Sequence, residues 1–319
     1  MSPHDGHRGP RAPLGLSTLT LAGLAALALV GWLILAVTGP KKQDSDTASG
    51  GTASAADSTP PATPAPATTP GDTHRPSPTG TAPGGGDRPS DGPRRGSLAG
   101  RVVVVDPGHN PNNHLHTAEI NRSVDVGNAH KECDTTGTAT NAGYAEATFT
   151  LDVARRLRTL LEKEGAEVVL THNGKRPWGP CVDERAEIGN TRHADAAVSV
   201  HADGAPAARH GFHVIAPAPV HAGDADTRAI TTPSRELGYR IVGRFTRVTG
   251  TGPADYVGDG TGLDVRDDLG GLNLSKVPKV FVECGNMRNS GDAARLTNGA
   301  WRQKAAQGIF EGIEGFLNE

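Results

Sequence analysis

The chain has 319 residues and a formal net charge of −3, which gives no electrostatic basis for nucleic-acid binding. Gly (42) and Pro (24) make up about a fifth of it, against an average share of ~12%. They concentrate before Arg101, which excludes a chain that is globular throughout.

Residues 14–37 carry no charge. A helix of that length, rising ~1.5 Å per residue, spans a ~30 Å hydrocarbon core with some tilt. Arg8 and Arg11 precede it and Lys41 and Lys42 come after it, so the basic flanks nearly balance and do not set orientation. The segment exceeds the ~7–15 apolar residues of a signal-peptide core, and no convincing A-x-A cleavage site follows it. The reading is a transmembrane anchor or uncleaved signal after a short cytoplasmic tail (1–13), with a cleaved signal as the alternative. In either case a lone early hydrophobic segment exports the domain C-terminal to it.

Residues 43–97 are rich in Pro, Thr, Ser, Gly and Ala and lack aromatics. Such a stretch cannot bury enough apolar surface to offset the entropy of ordering. A disordered tether is expected, extended around residues 60–70.

From residue 98 to 319, strand and helix signals alternate. This predicts one α/β domain with a mostly parallel, roughly six-stranded sheet flanked by helices. Residues 101–106 (RVVVVD) read as a buried first strand. Phe149, Val153, Leu157, Leu160 and Leu161 share one face of a helix over 146–163, which Gly165 ends. Next come a strand at 167–171, a short helix at 183–191 and strands at 196–200 and 211–216. Thr232 is expected to cap a helix with Pro233 at its first position and Leu237, Ile241, Phe245 and Val248 inside. Residues 279–282 form a last buried strand. A final helix from about 300 buries Trp301, Ala305, Ile309, Ile313 and Phe316.

Three ionisable residues sit where apolar strands stop: His109 after VVVVDPGH, His201 after AAVSVH and Glu283 after KVFVE. In a parallel sheet these are carboxyl ends, where open α/β sheets bind ligands. Glu146 opens its helix on the inward face, three residues before Phe149, and an inward carboxylate needs a cationic partner. Two imidazoles and a carboxylate with an open fourth position describe a catalytic zinc site. The expected ligands are His109, Glu146 and His201. Glu283 is left as the carboxylate that takes a water proton and passes it to a leaving nitrogen. Each residue alone has a bland reading, as a surface histidine or a helix-end charge. Their convergence on one side of the sheet is what raises them above it.

DPGH with its Asn-rich continuation, the helix-opening Glu, ERAEIGN, SVHADG and PKVFVECGNMRN together resemble the zinc-dependent N-acetylmuramoyl-L-alanine amidases, AmiC-like and of the actinobacterial branch. The resemblance runs from residue 100 to 317. It implies cleavage of the amide between the muramoyl lactyl group and the L-alanine of the peptidoglycan stem peptide. It also implies zinc on His109, Glu146 and His201, with Glu283 catalytic. The stretch 110–144 is longer than the usual link in such enzymes and carries His114, His116 and His130. One of these could replace His109 as ligand, but the expected role of the insert is to wall the substrate groove. The segment between Ala216 and Thr232 is too short for the inhibitory helix some relatives carry. Asp267, Asp268, Asn273, Asn286, Arg288 and Asn289 could contact glycan or peptide, or could simply form turns. Arg185 is expected to pair with a core carboxylate.

Cys284 should pack as a small hydrophobe. Cys133 and Cys181 lie in irregular segments of an exported domain, so a disulfide is expected that pins the insert to the body. The partners implied are peptidoglycan and, through residues 14–37, a membrane, with a monomer as the default. The location implied is a single-pass membrane protein with its catalytic domain extracytoplasmic, or a secreted one. Another cell-envelope zinc peptidase and a non-catalytic peptidoglycan-binding module are the rival readings. The four convergent polar residues favour an enzyme, because a pure binder has no use for Glu283.

Overall fold

A computed structural model describes residues 96–319. The expected membrane span and almost all of the expected tether lie outside the described residues. Ser97, which the sequence reading placed at the end of the linker, bonds the Glu164 and Glu314 carboxylates, and Leu98 is fully buried. No helix among the described residues is long and apolar enough to cross a membrane.

The strands are β1 (Val102–Pro107), β2 (Ser123–Asp125), β3 (His130–Glu132), β4 (Glu167–Leu170), β5 (Ala196–Asp203), β6 (His213–Pro217), β7 (His221–Ala222), β8 (Ala225–Asp226), β9 (Leu263–Arg266) and β10 (Lys279–Asn286). The helices are α1 (Thr117–Ile120), α2 (Glu146–Lys163), α3 (Val182–Thr191), α4 (Thr231–Thr249), α5 (Gly270–Asn273), α6 (Ser290–Leu296) and α7 (Gly299–Leu317). Six strands form one sheet in the order β4-β1-β5-β10-β6-β9. β4, β1, β5 and β10 are parallel, whereas β6 pairs antiparallel to β10 and carries β9 parallel to itself. The expected α/β sheet is therefore present. β2–β3 and β7–β8 are separate antiparallel ribbons.

Period-two alternation gives the sheet two different faces. Val103, Val105, Val198, Val200, Val280 and Val282 point one way and join Phe149, Val153, Leu157, Ile241, Phe245 and Ile309 of α2, α4 and α7 in the main apolar core. Cys284 packs in the same core as an unpaired thiol. The alternate residues point to the other side, where Asp106, Ser199, Lys279 and Phe281 meet α3 and α5. One face is thus hydrocarbon, and the other combines a small apolar cluster of Val104, Ala194, Ala197 and Val277 with a buried polar layer.

The expected entry to α4 needs correction. α4 starts at Thr231 after Ile230, so Thr232 does not cap it and Pro233 is its third residue. The carbonyl of Thr227 accepts from Ile230 and Thr231, so the preceding turn already satisfies the entry. The segment between β6 and α4 folds as the β7–β8 ribbon, in line with the absence of an inhibitory helix there.

Cys133 and Cys181 form a disulfide across 48 residues of chain. It ties the insert to the start of α3, where Val182 N–H also donates to the Cys133 carbonyl at 2.8 Å. A cross-link over that loop stabilises by about 4 kcal/mol in the chain-entropy account. The Cys133→Ser/Cys181→Ser double variant is therefore expected to lose about 4 kcal/mol of unfolding free energy in urea. A loss under about 1 kcal/mol would show that the unbridged insert is held equally well by its other contacts.

Candidate metal centre and active site

β1, β5 and β10 run parallel, so their carboxyl ends lie side by side. β5 and β10 are in register with His201 opposite Glu283, and β10 is paired with β6 so that His213 lies opposite Glu283 on the other flank. β1 ends at Pro107, and two residues on His109 adopts a left-handed backbone (φ 59°). That conformation costs a non-glycine residue on the order of 1 kcal/mol and turns the imidazole across the strand ends. Gly108 has to be glycine, because a Cβ there would meet the His201 ring at 2.3 Å. Gly137 (φ 73°) is equally constrained, since its Cβ would lie 2.6 Å from the His109 ring.

Glu146 is the first residue of α2, where the helix dipole favours an anion. Its Oε2 accepts from the Thr138 N–H at 2.9 Å and lies 3.2 Å from His109 Nε2. Its Oε1 lies 3.0 Å from His201 Nδ1 and accepts from the Ala202 N–H at 3.2 Å. The ligand atoms of His109, Glu146 and His201 all fall within 4.8 Å of one another, a cluster able to hold a metal ion. His201 stacks on Phe281 at 5.0 Å between ring centroids, which fixes its plane. Burial opposes charge on His109, but the Glu146 and Asp134 carboxylates outweigh it and push its pKa up to about 10. Burial also opposes the Glu146 carboxylate, yet the two histidines hold its pKa well below the usual range. The site stabilises positive charge.

Glu283 lines a depression together with His109, Glu146 and His201, and its Oε2 is buried without a hydrogen-bond partner among the described residues. Burial, with Glu146 and Asp203 nearby, pushes its carboxyl well above the ordinary value. Two cavities flank the centre. One of about 220 Å³ runs between the insert (Lys131, Glu132, Thr135) and α5, over Leu269 and Phe281. The other, of about 320 Å³, reaches Asp203, Arg266 and Glu283. A larger surface depression of about 760 Å³ between β2 and α3 contains none of these groups.

His114, His116 and His130 stay outside the cluster: His114 Nδ1 faces the Pro111 carbonyl, His116 pairs with Glu119, and His130 sits exposed on β3. The insert walls the 220 Å³ cavity. Arg185 does pair with core carboxylates, at 2.7 Å to Asp106 and 2.8 Å to Asp134. Of the residues near the last strand, most have architectural work. Asn286 donates to the carbonyls of Pro206 and Arg209, Asn289 caps α6, and Asn273 binds the carbonyl of Asp267. Asp268 pairs with Arg266.

His172 carried no signal in the sequence. It is only 4% exposed; its Nε2 donates to the Pro107 carbonyl at 3.0 Å, and its Nδ1 accepts from the Gly174 N–H at 3.2 Å. These partners assign the neutral tautomer. Burial, then the Arg185 charge, push its pKa from 6.5 down to about 4. Between those values the unfolded chain binds the extra proton. The contribution is therefore complete above pH ~6.5 and is lost as pH falls toward ~4, by up to about 3 kcal/mol. Relative to His172→Gln, wild-type unfolding free energy is expected to drop by about 2–3 kcal/mol from pH 7 to pH 4.5. Parallel pH curves for the two proteins would contradict this.

Fold and cluster define an α/β protein with a His/Glu/His centre at the carboxyl ends of a mostly parallel sheet. The chain belongs to the N-acetylmuramoyl-L-alanine amidase family (Amidase_3), whose model matches residues 103–315. It is 41% identical over 222 residues to the N-acetylmuramoyl-L-alanine amidase Rv3717 of Mycobacterium tuberculosis, covering 69% of this chain and 88% of that protein. Among solved structures it resembles the amidase Ami1 of Mycobacterium smegmatis (40% identity, TM-score 0.64, 69% of this chain and 98% of that one). It also resembles the apo form of Ami1 from Mycobacterium abscessus (42%, TM-score 0.62, 69% and 100%). The resemblance read from the motifs is thereby established, and the chain is an enzyme of this family.

Proposed function

We propose that this chain is a zinc hydrolase that cleaves the amide between N-acetylmuramic acid and the L-alanine of the peptidoglycan stem peptide. In this reading zinc is held by His109, Glu146 and His201, and Glu283 is the general base and acid. The observation that carries it is the three-donor cluster beside an unpartnered, buried carboxylate at the strand ends. The donor chemistry fits: two imidazoles and one carboxylate are ligands zinc takes, and one ligand atom from each lies within 4.8 Å of the others. When bound, zinc supplies a Lewis acid that lowers the pKa of water toward ~7 and polarises a carbonyl.

The chain's own residues supply the rest. Phe281 and Glu146 hold the His201 ring. Glu283 receives the proton of the attacking water and returns it to the amide nitrogen as the C–N bond breaks. The leaving amine must come within reach of Glu283, which supports placing the stem peptide in the 320 Å³ cavity and the muramoyl side toward the insert. The disulfide supports an oxidising compartment. This agrees with an enzyme tethered through residues 14–37, its catalytic domain outside the cytoplasmic membrane where peptidoglycan lies.

The test is to digest purified peptidoglycan with the full-length protein in detergent and to measure its zinc by elemental analysis. Stem peptides with a free N-terminal L-alanine, one zinc per chain, and loss of both in His201→Ala are expected. Stoichiometric zinc without that product would sink the amidase assignment.

A further inference from the structure

The insert between His109 and α2 also has a buried carboxylate, Asp134, whose two oxygens face in different directions. Oδ2 accepts from Arg185 at 2.8 Å. Oδ1 accepts from the Thr135 N–H at 2.8 Å and lies 3.3 Å from His109 Nδ1. The Thr135 carbonyl is 3.1 Å from the same nitrogen. Both acceptors stand on one side of the ring, and Nε2 faces Glu146 on the other. A ring that donates Nδ1–H backward presents the Nε2 lone pair to whatever the cluster holds, and a charged acceptor behind it makes that lone pair more basic.

Asp134 is fixed from both ends. Its backbone follows Cys133, which is bonded to Cys181 at the start of α3. Its own N–H donates to the Ile120 carbonyl at 3.1 Å. Its carboxylate is gripped by Arg185, one turn into α3, whose Nε donates to the Pro180 carbonyl at 2.9 Å and whose other nitrogens hold Asp106 and the carbonyls of Pro107 and His109. Arg185 therefore contacts both the backbone that presents His109 and the carboxylate that orients its ring.

We propose that Asp134 is the positioning residue of the metal centre: presented by the disulfide-pinned insert and gripped by Arg185, it fixes His109 with Nε2 toward the cation. The inference rests on zinc binding at His109, Glu146 and His201. Orienting carboxylates behind metal-bound histidines are worth 10–100-fold in affinity.

The test reads zinc affinity of the full-length protein by chelator competition, with folding followed by far-UV circular dichroism. Asp134→Asn keeps the shape and an acceptor but removes the charge, and is expected to weaken zinc binding about 10-fold. Asp134→Ala removes both and is expected to weaken it toward 100-fold, with Asp134→Asn deciding the matter alone where the alanine variant does not fold. Reduction of the disulfide is expected to weaken zinc binding in the wild type and to have less effect in Asp134→Ala, because the bridge acts through this carboxylate. Wild-type affinity in folded Asp134→Asn, or reduction effects of equal size in both proteins, overturns the proposal and leaves the zinc reading standing. A wild type that takes up no zinc overturns the zinc reading and this proposal with it.

Discussion

Glu283→Gln is expected to keep a full complement of zinc and to lower kcat for amide hydrolysis by about 10²- to 10⁴-fold, the usual yield of one positioned proton-transfer group. Glutamine matches glutamate in shape, so the packing beside His201 and Phe281 is preserved while the proton acceptor is lost. Two features make the native carboxyl suited to the task. It lies directly opposite His201 in the β5–β10 register, within the depression that holds the cluster. Its environment also favours the protonated form: burial acts first, then Glu146 and Asp203. A carboxyl that gains a proton readily can deliver it to an amine that would otherwise leave as an unstable anion. KM should change little, because the group acts in the transition state rather than in binding. The measurement is steady-state release of stem peptide alongside zinc content. A kcat within a few-fold of wild type, at full zinc occupancy, would move the proton-transfer role to another residue, and loss of zinc would make Glu283 a ligand.

The cluster of His109, Glu146 and His201 with Glu283 beside it was legible in the sequence because His109 follows a strongly patterned strand, His201 and Glu283 lie in the carboxyl halves of two others, and Glu146 opens a patterned helix. RVVVV and AAVSV read as buried strands without ambiguity, so the polar residue beyond each is placed at a strand end by counting alone. Glu146 was legible through its spacing to Phe149 and Val153. The sixth strand was not: LDVR is four residues long, half polar, at the sheet edge, with Val265 exposed. Asp134 could not have been found by pattern, since it sits in an irregular insert and its partners, Arg185 and His109, are 51 and 25 residues away. Only Arg185 gave a hint, as an arginine in a short helix that needs a carboxylate somewhere. His172 looked like an ordinary residue after an edge strand. It is buried with its ring against the Pro107 carbonyl, 65 residues away in sequence, a contact that no local periodicity encodes.

The polar face of the sheet gives the second large effect. Asp106→Ala is expected to cost about 3–5 kcal/mol of stability, the loss typical of breaking a buried ion pair from one side. Asp106 is buried, and its two oxygens take four donors: Arg185 at 2.7 Å, Thr171 at 2.6 Å, Ser199 at 2.6 Å and Lys279 at 3.2 Å. Burial alone would raise its pKa, but Lys279, Arg185 and the two hydroxyls hold it well below the carboxylate range. Formally the face is balanced, with Asp106 and Asp134 against Arg185 and Lys279. Removing Asp106 leaves Lys279, 1% exposed, with only the Phe281 ring at 5.7 Å among the described residues. An ammonium in that position must lose its proton or draw in water, and either costs several kcal/mol. Asp106→Leu combined with Lys279→Met removes both charges at similar volume and is expected to recover most of the loss, the signature of two coupled sites. Urea unfolding of the zinc-free proteins separates this effect from metal linkage. A single variant within about 1 kcal/mol of wild type would mean that water reaches Lys279 freely. A fully restored double variant that still binds zinc weakly would show that Asp106 is retained for where it puts Arg185, and through it Asp134 and His109, rather than for the stability it confers.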